Sequence, residues 1–167
     1  MAFETVFDVS KQGYSAWPFP MGGLVFVLAG TAIAFMPKAL AQKVFIRFWH
    51  GDARVIFGLG MIAFSATWTI GTFVSTYNEY RNARAILRNG WCDVVEGEVT
   101  DIKPMHYGRH TLESFIVGGR KFSYSDFIVT PYFYNSVPYG GPIRAGLYVR
   151  VTYDPAKSGI LRLEIAR

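Results

Sequence analysis

PFPMGGLVFVLAGTAIAFM, residues 18–36, decides how the rest of this chain is read. It lies inside a window from Gln12 to Pro37 that holds no charged residue. A second stretch, VIFGLGMIAFSATWTIGTFVSTYN at residues 55–78, is likewise free of charge. A helix rises about 1.5 Å per residue, so crossing about 30 Å of hydrocarbon takes about 20 apolar residues. Both stretches meet that length, and the expectation is two transmembrane helices, residues 18–37 and 55–77. A pair of buried soluble helices is the competing reading. A cleaved leader fits the first stretch poorly, because no basic segment precedes it.

Composition points the same way. The 167 residues are 51% hydrophobic, 17% aromatic and only 17% charged, where a soluble domain carries about 25% charged residues. Such a chain is too apolar for intrinsic disorder. Cys92 is the only cysteine, which excludes a disulfide scaffold. The net charge of +5 arises largely beside the apolar windows, from Lys38, Lys43, Arg47 and Arg54 and from Arg81, Arg84 and Arg88. That placement reads as membrane topology, and no nucleic-acid partner is expected.

Neither window contains Asp, Glu, Lys, Arg or His. Ionisable groups inside spans mark ion and proton paths, so a pump, transporter or voltage sensor is not expected. Small residues recur at four-residue spacing: Gly30 and Ala34 in the first window, and Ala63, Thr67, Gly71 and Ser75 in the second. Such ladders let helix backbones approach closely in lipid, either between these two spans or onto a partner's span. Trp17, Phe19 and the aromatics from Trp68 to Tyr77 suit the membrane interfaces.

Between the windows, residues 38–54 place Leu40, Val44, Phe45 and Phe48 near one helical face and Lys43, Arg47 and His50 on another, a pattern for a short interfacial helix. His50 beside Trp49 would serve as a metal or tetrapyrrole ligand, or simply as an interfacial titratable group. Beyond the second window, residues 78–90 continue as a helical stalk with arginines toward its C-terminus and a stop at Asn89-Gly90. The first helix has an acidic tail before it (residues 1–17) and a basic loop after it. This orientation signal puts the loop in the cytoplasm and the C-terminal domain outside, although Lys/Arg counts on the two sides balance.

From Trp91 onward the pattern changes to period two. Leu147, Val149, Val151 and Tyr153 alternate with polar or exposed positions, as do Leu161, Leu163 and Ile165. Strands are also read over 94–102, bending at Gly97, over 114–117 and 120–124 around the Gly118-Gly119 turn, and over 127–134. A turn joins Asp154-Pro155 to Ser158-Gly159. The expected fold class is an α+β membrane protein: a transmembrane hairpin followed by a small antiparallel β-barrel, OB- or SH3-like in size, at residues 91–167.

The runs VVEGEVTDI (94–102), ESFIVGGRKFSYSD (113–126) and GGPIRAGLYVRVTYDP (140–155) with ILRLEI (160–165) resemble the β modules of uncharacterised bacterial membrane proteins that carry two N-terminal spans. The resemblance implies this fold and a bacterial inner-membrane location. It implies no activity.

No catalytic set is expected. His106 and His110 share a four-residue spacing, but Gly108 interrupts it and the context is a loop. A hydrolase set of Ser123, Ser125, Asp126 and His110 has no nucleophile elbow. GGRKFSYS lacks phosphate-loop spacing. No metal or cofactor is expected. The segment FIVTPYFYNSVPYGGPI, residues 127–143, is free of charge and rich in aromatics. Tyr132, Tyr134 and Tyr139 are expected to face a partner while Phe127 and Phe133 turn inward; Trp17, Trp49 and Trp68 join the partner-binding set. The resulting function is a non-catalytic accessory or assembly subunit of a respiratory or photosynthetic type of complex, its partners being other integral membrane proteins and the bilayer. The alternative is a membrane-anchored sensor whose barrel binds a small molecule through Arg109, Arg120, Lys121, Arg144 and Arg150 and drives homo-oligomerisation.

Overall fold

The computed structural model of the chain describes residues 2–37, 53–106 and 111–167. The interfacial helix expected at 38–54 falls almost wholly outside the described residues, as do Trp49, His50, Arg109 and His110. The element order is β1 (Phe3–Asp8), α1 (Pro18–Phe35), α2 (Ala53–Asn89), β2 (Asp93–Glu98), β3 (Thr100–Lys103), β4 (Glu113–Val117), β5 (Arg120–Tyr124), a short 3₁₀ turn (Val137–Tyr139), β6 (Tyr148–Tyr153) and β7 (Ile160–Ala166). The chain divides into two compact units, one of residues 16–75 and one of residues 1–15 with 76–167.

In the helical unit, proline at the first helical position opens α1, where a missing N–H costs nothing. At 18 residues α1 is about 27 Å long. Both α1 and α2 are long and apolar enough to cross a membrane. Along one seam the two helices meet through small residues. A side chain built on Gly30 would lie 2.9 Å from the Gly58 carbonyl oxygen, and one on Gly58 would lie 2.7 Å from both the Cβ and the backbone nitrogen of Ala34. Gly23 leaves its space to Thr69 and Trp68, and the Trp68 ring packs on Phe19 at 5.5 Å. At the far end of the seam Arg54 donates to the Met36 carbonyl at 2.5 Å. Gly30→Leu is therefore expected to force α1 from α2, because the obstructing atoms include backbone. A loss of about 1–3 kcal/mol in hairpin stability would show as faster migration to an opened form in a detergent unfolding assay.

The ladder Ala63, Thr67, Gly71 and Ser75 is not part of this seam. All four residues are exposed, and nothing lies within 4 Å of the position a side chain would take at Gly71.

In the β unit the seven strands form two antiparallel sheets, β1-β7-β6-β2 and β3-β4-β5, and not the closed barrel the alternation led us to expect. The chain passes from the first sheet to the second at Val99, between β2 and β3, where it exchanges backbone hydrogen bonds with Leu147 and Gly146. The strand read as one bent piece over 94–102 is thus two. The expected strand over 127–134 is absent. Pro131 cannot donate to a ladder, and the Ser125 hydroxyl and carbonyl accept from the N–H groups of Phe127 and Ile128, turning the chain instead. Gly118 and Gly119 both take positive φ (+54° and +78°), as a twist-matched two-residue hairpin requires. At the end of α2, Gly90 is left-handed at φ +71°. Gly90 N–H bonds to Leu87 and Trp91 N–H to Ile86, a Schellman stop.

The largest departure concerns the N-terminus. The segment read as a tail contains β1, which pairs with β7 from Phe3 opposite Ala166 to Asp8 opposite Arg162. Phe7 and Val9 belong to one core with Phe115, Phe122, Val149, Val151, Leu161 and Leu163, to which Ala83 of α2 also contributes. Asp8 closes the strand. It accepts from Ser10 N–H and from the Ser10 hydroxyl, and pairs with Arg162 at 2.9 Å. Burial alone would raise its carboxyl pKa; the Ser10 bonds and the Arg162 charge outweigh burial and hold it below the ordinary value near 3.8. Its contribution is therefore present above that value and lost as pH falls through the depressed one. Asp8→Asn should cost about 1–3 kcal/mol near neutral pH and flatten the acid limb of stability measured by urea titration.

Candidate functional site

No charged residue interrupts 127–143, yet two buried carboxylates outside it and a half-buried one at its edge fix its path. Glu113, the first residue of β4, is fully buried. Its Oε1 accepts the Tyr124 hydroxyl at 2.5 Å, both its oxygens lie within 3.2 Å of Val137 N–H, and Oε2 accepts Met105 N–H at 3.4 Å. One acidic side chain thereby joins β4, β5, the approach to β4 and the 3₁₀ turn. Burial, and then the bond and charge of Glu113, push the Tyr124 phenol far above its ordinary pKa, so it remains a donor. Asp126 accepts both the N–H and the hydroxyl of Ser136. Asp154 accepts the Tyr132 hydroxyl at 2.9 Å and Ala156 N–H at 2.9 Å. Gly141 is obligatory, since a side chain there would collide with the backbone of Asn135 and Ser136.

Within this framework the aromatics sort differently from expectation. Tyr132 is buried on Asp154, and burial followed by that hydrogen bond raises its pKa strongly. Phe133 is inward as expected, packed on Phe7 and Tyr124. Phe127, expected inside, is 43% exposed and meets Tyr139 edge-on at 5.9 Å. Tyr139 is exposed and Tyr134 half-buried. Ile128 and Val129 are 47% and 40% exposed. The outward set of this loop is therefore Phe127, Ile128, Val129 and Tyr139. In the helical unit Trp17 and Trp68 are both exposed.

The basic residues considered for a ligand are engaged singly. Arg120 lies 4.2 Å above the Tyr153 ring and donates to Ser158. Arg144 donates to the carbonyls of Gly141 and Ile143 at 2.6 and 2.7 Å. Arg150 pairs with Glu96 and Glu164 and covers the Phe3 ring at 4.1 Å. Lys121 is exposed on β5. Among the described residues these cations do not converge on one point. Ser125 donates to the Met105 sulfur at 3.6 Å and Asp126 accepts from Ser136, while His110 of the hydrolase set lies outside the described residues. Among the described residues no group of three or more His, Cys, Asp or Glu side chains is placed to hold a metal ion.

A further cluster went unread in the sequence. Tyr14 and Thr76 share a hydrogen bond at 2.5 Å, Tyr14 packs on Tyr77 and Tyr80 at 5.5 and 5.7 Å, and the Tyr80 hydroxyl donates to the Gln12 carbonyl at 2.9 Å. These residues stand in sequence just before and just after the helical unit. No protein-family model, curated protein or solved structure matches the chain.

Proposed function

We propose that this protein is a non-catalytic accessory or assembly subunit of a larger membrane protein complex, anchored by α1 and the first part of α2. The observation that carries this reading is the split use of small residues. Gly30, Ala34 and Gly58 are consumed in the seam between the two helices, while Ala63, Thr67, Gly71 and Ser75 stay exposed on α2. In lipid a face of small residues lets another helix approach closely. The exposed apolar side chains Leu24, Val25, Phe26, Leu28, Ile56, Phe57, Phe64 and Ile70 would be costly in water and are at ease in acyl chains.

β1 supports two crossings in place of a removable leader. Cleavage after α1 would strip a strand and its core residues from the β unit. The pairing of β1 with β7 supports a topology with both ends of the chain on one side of the bilayer and the connection between the spans on the other. The tyrosine cluster around Tyr14 and Thr76 suits an interface, where rings with one polar end are favoured. The acidic segment before α1 and Lys38, Lys43, Arg47 and Arg54 after it favour a cytoplasmic loop, with the β unit outside the inner membrane.

Purification from native membranes in mild detergent tests the reading. The wild type should bring integral membrane partners with it, and Gly71→Leu should lose them while keeping the fold of the β unit. A partner-free monomer in every mild detergent would overturn it.

A further inference from the structure

The tip of the charge-free loop is an apolar prow. Phe127, Ile128 and Val129 are consecutive and each at least 40% exposed. They are held on a preset turn: Ile128 N–H bonds to the Ser125 carbonyl at 3.3 Å, Asp126 is locked to Ser136, and Phe127 is braced edge-on by Tyr139. On the far side, Tyr132 is anchored to Asp154. Three apolar side chains presented by a pinned turn resist collapse onto their own core.

Their place within the β unit indicates what covers them. Tyr132 lies three residues beyond Val129, at most about 10 Å of chain. Lys157 stands 5.9 Å above the Tyr132 ring and bonds Glu79 at 2.6 Å. Glu79 is three residues past Thr76, where α2 enters this unit, a rise of about 4.5 Å. Tyr132, at the base of this loop, thus lies near the turn of α2 that follows Thr76. With no charge from residue 127 to 143, nothing in the loop opposes entry into the boundary between headgroups and acyl chains.

We propose that Phe127, Ile128 and Val129 dip into the lipid surface and fix the β unit against the bilayer, a second contact besides the spans. This inference rests on the spans crossing the membrane, and the test separates the two. The full chain carrying Cys92→Ala is reconstituted into phosphatidylethanolamine/phosphatidylglycerol vesicles with an environment-sensitive fluorophore on one cysteine: Ile128→Cys, Ile70→Cys or Lys121→Cys. The expected result is blue-shifted emission at 128 and 70, quenched by spin-labelled lipid, and water-like emission at 121. Water-like, unquenched emission at 128 with a quenched 70 would overturn the lipid contact and leave the spans standing. Water-like emission at 70 would overturn both. A label at 128 that is shielded only after a partner protein is added would assign the prow to a protein interface and equally overturn the proposal. Val129→Asp, with the circular dichroism of the fold retained, should weaken the quenching at 128.

Discussion

Glu113→Leu will destabilise the β unit by about 3–5 kcal/mol, although leucine fills a similar volume in an apolar core. The cost is one of stranded donors. Removing the carboxylate leaves the Tyr124 hydroxyl and the N–H groups of Val137 and Met105 without their acceptor, and each buried unsatisfied group costs about 1–3 kcal/mol. The long Met105 bond sits at the low end of that range. Glu113→Gln keeps one acceptor oxygen but turns an amide toward backbone donors, so an intermediate loss is expected. Urea titration of the full chain in detergent, followed by tyrosine fluorescence, reads both variants; an unchanged midpoint for Glu113→Leu would remove Glu113 from its anchoring role. The same contacts set an alkaline limit. Burial, then Glu113 and Asp154 respectively, raise Tyr124 and Tyr132 above the ordinary value of 10.0. Their contribution is present below that value and declines above it, as the unfolded chain ionises and the folded one does not.

Phe7→Ala will cost about 3–5 kcal/mol, the usual loss for a buried phenylalanine, even though Phe7 precedes the first apolar helix. Phe7 is buried, packs edge-on against Phe133 at 5.5 Å, and sits opposite Leu163 in the β1–β7 ladder. The consequence reaches beyond stability. A chain shorn of β1 would keep both apolar helices yet expose the edge of β7, which invites pairing with other chains. Aggregation of a variant lacking residues 2–9, with the spans still embedded, is the companion expectation. Wild-type stability in Phe7→Ala would mean that β1 is no part of the core.

The two helices were legible because length and lack of charge are properties of a window, and need no knowledge of neighbours. The Gly118-Gly119 hairpin and the strands β6 and β7 were legible for a related reason: turn chemistry and alternation are local. What escaped depends on contacts distant in sequence. Phe3, Thr5, Phe7 and Val9 do alternate with Glu4, Val6 and Asp8, so β1 carried a signal, but an apolar helix separates it from the sheet it joins. The anchoring roles of Glu113 and Asp154 were not legible, because burial of a carboxylate depends on donors up to 24 residues away. The aromatics of 127–139 alternate imperfectly, and without a strand to impose a period their sides are set by Asp126, Asp154 and Glu113. The small-residue ladder of α2 was visible, but that it stays exposed while Gly58, outside it, meets Gly30 and Ala34 was decided only by the packing.

The account stands on two crossings with both ends of the chain on one side. Its most direct measurement is labelling with a membrane-impermeant thiol reagent in intact cells and in inverted vesicles, using single cysteines at Glu4, Lys157 and Lys43 in a Cys92→Ala background. The account predicts that Glu4→Cys and Lys157→Cys are labelled from the same side and Lys43→Cys only from the other. Labelling of the first two from opposite sides, or recovery of the chain in the aqueous fraction without detergent, would contradict it.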